Sequence, residues 1–128
     1  MARHQVPASE LAFAPPRSVQ DAAKRGLRWR EQFGRGGLTP EEAAEQGIGS
    51  GVTRARGLAS GAPVPLSQVR RIAAYFSRHQ KDQFAPHFDD MVNPSNGRIA
   101  WELWGGYPAW DWVDGILDTL PSDLGGRA

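Results

Sequence analysis

The sequence contains no cysteine, which excludes a disulfide framework, a thiolate nucleophile and cysteine-ligated zinc. Lysine is nearly missing as well, with 2 against 13 arginines. No apolar run approaches the roughly 18 residues that cross a bilayer. The first residues lack the apolar h-region of a signal peptide, so a soluble intracellular protein is the expectation and no membrane partner is read. No phosphate-cradling GxxxxGK loop, no GxGxxG after a strand and no HExxH occurs, and "DWVDG" lacks the alternating oxygens of a calcium loop. A non-enzymatic protein with no cofactor is therefore expected.

A chain of 128 residues fits one domain that buries about two-thirds of its unfolded surface. Its 15 glycines and 10 prolines are above average and call for short, well-punctuated elements. The net charge of +1 hides an asymmetry. Residues 1–81 carry 13 basic and 6 acidic groups, whereas residues 82–128 carry 2 basic and 8 acidic. Such halves either attract each other, within the fold or between copies, or leave a basic face for phosphate.

Residues 1–16, "MARHQVPASELAFAPP", show no sustained period and close on two prolines. They read as an extended or disordered arm, with Leu11 and Phe13 as small anchors for a partner. Residues 17–120 read as an all-α domain of five to six short helices, and residues 121–128 as a flexible tail. In the first helix Ser18 is the expected N-cap, with Asp21 three residues on and Gly34 as the stop. "TPEEAAEQG" at 39–47 predicts a short second helix with Pro40 at its first position. "GVTRARGLAS" predicts a third, after which Pro63 and Pro65 enforce extended chain. Ser67 then caps the strongest helix, whose apolar stripe is Val69, Ile72, Ala73 and Phe76, with His79 at its end. A loop over 83–97 leads to "RIAWELW", a Gly105–Gly106 corner, and a last helix from Pro108.

Four of the five tryptophans fall between Trp101 and Trp112. Helical periodicity puts Trp104 on a face with Ile99, Ala100 and Leu103, and sets Trp101 to its side. Trp104 is therefore expected in the core with Trp110 against it, while Trp101 or Trp112 keeps an exposed edge for a partner. A tryptophan core is the leading reading, because burying each indole gives about 2–3 kcal/mol to a fold of short helices. A stacking platform for bases or sugars and a protein-interface hot spot are the alternatives.

"RHQKDQFAPHFDD" gathers His79, Asp82, His87, Asp89 and Asp90, residue types that suit zinc, manganese or iron. Their spacing matches no motif, and His79 with Asp82 is equally an i,i+3 hydrogen-bonded pair, so no metal is assigned. Glu102 with a loop aspartate is the candidate pair for acid–base work, but nothing in the sequence positions the second group. Arg54, Arg56, Arg70, Arg71 and Arg78 on the 51–59 and 67–81 helices are the candidate phosphate contacts. As a helix-turn-helix, however, the pair is joined by "SGAPVPLS", longer and stiffer than the usual three- or four-residue turn.

From about Pro15 to Trp112 the chain resembles a small domain encoded by tailed phages and prophages. The stretches that carry the resemblance are "AKRGLRWREQFGRGG", "GVTRARGLASG", "LSQVRRIAAYFSRHQKD" and "GRIAWELWGG". The last two are the most distinctive, and together the match spans roughly three-quarters of the chain. Such domains accompany the prohead-protease and capsid gene region, alone or fused to larger virion proteins. The chain departs from the pattern by inserting "LTPEEAAEQGIGS" and by its own loop "FAPHFDDMVNPSN". No catalytic residue carries over. The resemblance implies a virion structural or assembly protein, capsid-associated or head-completing, found in the particle and in the host cytoplasm during assembly. The partners so implied are other virion proteins, with further copies of the chain or nucleic acid as additional partners. A small nucleic-acid-binding or host-modulating phage protein is the alternative.

Overall fold

A computed structural model describes residues 11–36 and 51–127. Among these, five α-helices carry the fold: α1 Arg17–Phe33, α2 Gly51–Ser60, α3 Leu66–His79, α4 Asn96–Leu103 and α5 Gly106–Thr119. Two 3-10 turns, Gln80–Phe84 and Ser122–Leu124, follow α3 and α5. The class is all-α, relieved only by a two-residue antiparallel pairing of β1, Ala12–Phe13, with β2, Val64–Pro65. The helix expected at 39–47 and the first ten residues of the arm lie outside the described residues. No described helix is long and apolar enough to cross a membrane.

Both ends of the described chain depart from the sequence expectation. Arm residues 11–16 precede the first helix, and Leu11 and Phe13 lie against their own domain. Phe13 faces Val64 across the strand pair, and Leu66 N donates to Leu11 O at 3.0 Å. Leu11 and Phe13 are half-buried against the core. α3 starts at Leu66 behind Pro65 with no side-chain cap bond from Ser67, and Leu11 O answers the Leu66 N–H instead. Likewise α1 starts at Arg17 behind Pro16, with no side-chain cap from Ser18, and Asp21 pairs with Arg17 at 3.5 Å. The tail is also tied down. Arg127 donates to Asp114 at 2.9 Å and Asp118 at 3.2 Å, its backbone N–H reaches Leu117 O, and Arg70 donates to Leu124 O.

Two apolar clusters hold the helices together. The larger joins Val19 and Ala23 of α1, Leu58 of α2, Val69, Ile72, Ala73, Tyr75 and Phe76 of α3, and Ala109, Val113 and Leu117 of α5. The smaller joins Trp29, Ala55, Ile99 and Leu103 where α1, α2 and α4 meet. α1 approaches α4 closely at Gly26, where a Cβ would stand 2.6 Å from Leu103 N and 2.8 Å from the Glu102 carbonyl carbon. Only a residue without a side chain fits between those backbones. The corner between α4 and α5 is turned by Gly105 and Gly106, with φ of 101° and 66°, a region that side chains disfavour.

Trp101 and Trp104 exchange the places that helical spacing assigns them, while Trp112 is half-buried. Trp101 is 0% exposed, whereas Trp104 is half-buried. α4 is wedged between α1 on one side and the α3–α5 layer on the other. Ile99 and Leu103 therefore face α1 and α2, while Trp101 fills the opposite side against Tyr75, Phe76, Phe88 and Trp110. Trp104 lies beyond the last helical residue, as the C-cap with φ −85° and ψ 3°. Helical spacing does not predict its direction there.

Candidate functional site

The histidine and carboxylate residues resolve into separate pairs. His79 Nδ1 lies 3.0 Å from Asp82 Oδ2, and His87 Nδ1 lies 3.3 Å from Asp90 Oδ2. Asp89 reaches instead toward Arg98, at 3.5 Å. Among the described residues, no three histidine or acidic groups come together around a common point suited to a metal ion. Glu102 is 2% exposed. Its Oε1 accepts from Arg98 Nε at 2.8 Å, and Arg25 stands 3.7 Å from Oε2. Burial pushes the Glu102 carboxyl above its ordinary range, and the Arg98 and Arg25 charges pull it back. Closed off in this way, Glu102 is an internal brace and not a solvent-facing acid or base.

Arg98 extends that brace into the 84–95 loop. Its Nη1 donates to Phe88 O at 3.0 Å and its guanidinium lies 5.1 Å from the Phe88 ring centroid. Phe88 is buried edge-on to Trp101. Ser95 N donates to His87 O, and the Ser95 hydroxyl caps α4 by accepting from Arg98 N at 3.0 Å. Asp90 Oδ1 accepts from Val92 N and Asn93 N, both at 2.9 Å, closing an Asx turn. Arg35, at the end of α1, donates to Asn93 and Asn96 at 3.0 and 2.7 Å. His87 takes a left-handed backbone, φ 66°, which costs a non-glycine residue about 1–2 kcal/mol. A loop braced at this many points holds one shape.

That shape leaves apolar side chains outside. Phe84 is 86% exposed, Val92 83% and Met91 51%. Tyr107, the other large apolar residue left exposed among those described, bonds through its hydroxyl to Gln83 at the root of the loop. Sequence reading did not single these residues out. "FAPHFDDMVNPSNG" places apolar residues among turn formers with no period, so nothing separates the buried Phe88 from the exposed Phe84. The one legible signal was Asp90 ahead of Val92 and Asn93, an Asx-turn spacing.

The Asp90 turn makes the loop sensitive to acid. The Asn93 and Val92 amides, with His87, hold the Asp90 carboxyl below its ordinary range. A depressed folded pKa contributes order that is fully present above the ordinary carboxylate pKa and is lost as pH falls through the depressed value. Hydrogen exchange at the Val92 and Asn93 amides is therefore expected to accelerate, relative to the α3 amides, as pH drops below the ordinary aspartate range. Asp90→Ala, which removes the acceptor altogether, is expected to show the loose loop at neutral pH. Equal protection in both proteins at all pH values would remove Asp90 from the account.

The remaining candidates separate by environment. Trp101 has no exposed edge and offers no surface to a partner, whereas Leu11 and Phe13 are half-buried against their own core. Trp112 is half-buried and, with Pro16, Tyr107, Pro108 and Trp110, lines an open groove of about 690 Å³. Of the arginines, Arg70 is engaged with Leu124 O, and Arg56 lines a second groove together with Glu31. Arg54 is half-buried, with its guanidinium carbon 4.4 Å above the Trp104 ring, while Arg71 and Arg78 are exposed on α3. Set against family models, curated proteins and solved structures, the chain matches none of them.

Proposed function

We propose that the chain is a non-enzymatic component of a tailed-phage particle that docks onto other virion proteins through its 84–92 loop. The observation that carries the docking surface is the exposure of Phe84, Met91 and Val92 on a loop braced by Arg98, Ser95, Asp90 and Arg35. Exposed apolar side chains on a fixed frame are what protein interfaces bury at their centre. Because the loop is already ordered, little conformational entropy is lost on docking. The phage assignment rests on the resemblance of "LSQVRRIAAYFSRHQKD" and "GRIAWELWGG" to domains of the capsid gene region, and the surface is consistent with a part attached repeatedly in a shell.

The test is incorporation. Particles purified from cells making the wild-type chain are expected to carry it at constant stoichiometry by mass spectrometry. The Phe84→Ser/Val92→Ser variant is expected to keep its helicity and melting temperature, because both side chains are already in water. It should nevertheless fall at least tenfold in particles, as losing two hot-spot anchors at roughly 1 kcal/mol or more each implies. Unchanged incorporation of a folded variant would refute the loop as the docking surface.

A further inference from the structure

We propose that Arg54, Arg71 and Arg78 form an anion-binding face for the phosphates of a nucleic-acid backbone, with Trp104 as the rigid floor beneath Arg54. The inference does not rest on the 84–92 loop or on the virion reading.

The argument starts from what Arg54 lacks. Its guanidinium is half-buried on the Trp104 indole, and its Nε is withdrawn from water with no hydrogen-bond partner. The charge that acts on it is another cation, Arg71, and burial together with Arg71 pushes its pKa below the ordinary arginine value. Among the described residues, no carboxylate pairs with Arg54, Arg71 or Arg78. Several other arginines are answered internally: Arg17 by Asp21, Arg25 and Arg98 by Glu102, Arg70 by Leu124 O and Arg127 by Asp114 and Asp118. A fold that brings two guanidiniums together without a counter-charge is stabilised when an anion arrives between them.

The floor is fixed before any ligand binds. Tyr75 stacks on Trp104 at 4.5 Å with an interplanar angle of 8°, His79 stacks on Tyr75 at 4.5 Å, and Asp82 holds His79 at 3.0 Å. Arg71 and Arg78 are seven residues apart on α3, so they share a face about 10.5 Å apart along the axis. Guanidinium forks match phosphate oxygens two at a time, and one that is stacked on an aromatic ring loses less freedom on binding. One stacked fork beside two exposed guanidiniums on a single helix face can meet successive phosphates of one strand, whereas carboxylates scattered on an acidic protein offer no such row.

The experiment is fluorescence anisotropy of a short labelled duplex with the full chain, from about 50 to about 200 mM salt. Three phosphate contacts predict a slope of log affinity on log salt of about −2.7, and Arg71→Gln and Arg78→Gln should each shallow it by about 0.9. Arg70→Gln, whose side chain is already engaged with Leu124 O, should leave the slope unchanged. All three positions are exposed, so the variants keep the fold. The proposal is overturned by an absence of salt-dependent binding, or by a slope insensitive to Arg71→Gln. It is overturned equally by Arg70→Gln matching Arg71→Gln in effect. A polyglutamate peptide that binds in an Arg71-dependent way while the duplex does not would assign the face to an acidic protein instead.

Discussion

Trp101→Ala is expected to cost about 3–5 kcal/mol, the range for deleting a core aromatic ring. Set against a total stability of about 5–15 kcal/mol, that loss lowers the melting temperature by roughly 10–20 °C or leaves the chain unfolded. The reason is position. Trp101 is fully buried, and its ring meets Phe76 at 4.8 Å, Phe88 and Tyr107 at 5.3 Å and Trp110 at 5.7 Å, all at steep angles. It is where α3, α4, α5 and the 84–95 loop meet, so its removal leaves a cavity that no single neighbour can fill. Trp104→Ala, at a half-buried site capped by the Arg54 side chain, should cost less than half as much. Thermal denaturation of the two variants under one condition compares them directly. A larger loss at Trp104 would return the core to the arrangement that helical spacing suggests.

The second large effect lies in the Arg98–Glu102 pair. Arg98→Met is expected to destabilise the domain by about 3–5 kcal/mol at neutral pH, because it strands a buried carboxylate. It also frees Phe88 O and unties the loop from α4. Replacing both partners, Arg98→Met/Glu102→Leu, should recover most of that loss, since an apolar pair of similar volume leaves no buried charge stranded and Arg25 can turn to water. pH separates the mechanisms. Without Arg98, only the more distant Arg25 opposes burial at Glu102, and burial raises its folded pKa further above the unfolded value. The single variant should therefore be relatively most stable below the ordinary glutamate pKa, and lose that stability as pH rises through the raised one. Urea denaturation of both variants across that window reads this. A single variant whose deficit does not change with pH would mean that lost packing, and not stranded charge, sets the cost.

Local chemistry was legible in the sequence, and long-range geometry was not. Gly34 as the stop of α1, the stripe Val69, Ile72, Ala73 and Phe76, the Gly105–Gly106 corner and the His79–Asp82 pair all follow from spacings of four residues or fewer. Trp101 was misplaced because a helix wedged between two layers has no outward face to make its period meaningful. The docking of Phe13 on Val64, and of Arg127 on Asp114 and Asp118, depends on contacts that no local pattern encodes. The same limit applies to the candidate site. The five arginines were equivalent in sequence, and only the fold separates Arg70, engaged at Leu124 O, from Arg54, set on Trp104 beside Arg71. The exposed loop residues were hidden by their own neighbours, since Phe84 and Phe88 look alike until Trp101 claims one of them.

The central claim is that this chain is a particle component that meets its partner through the braced loop. A photo-crosslinking amino acid placed at Val92, 83% exposed and outside every helix, tests it most directly in assembled particles. Purified particles should contain the chain, and irradiation should join it through position 92 to another virion protein. Particles without the chain, or particles that contain it with position 92 joined to nothing, would contradict the account.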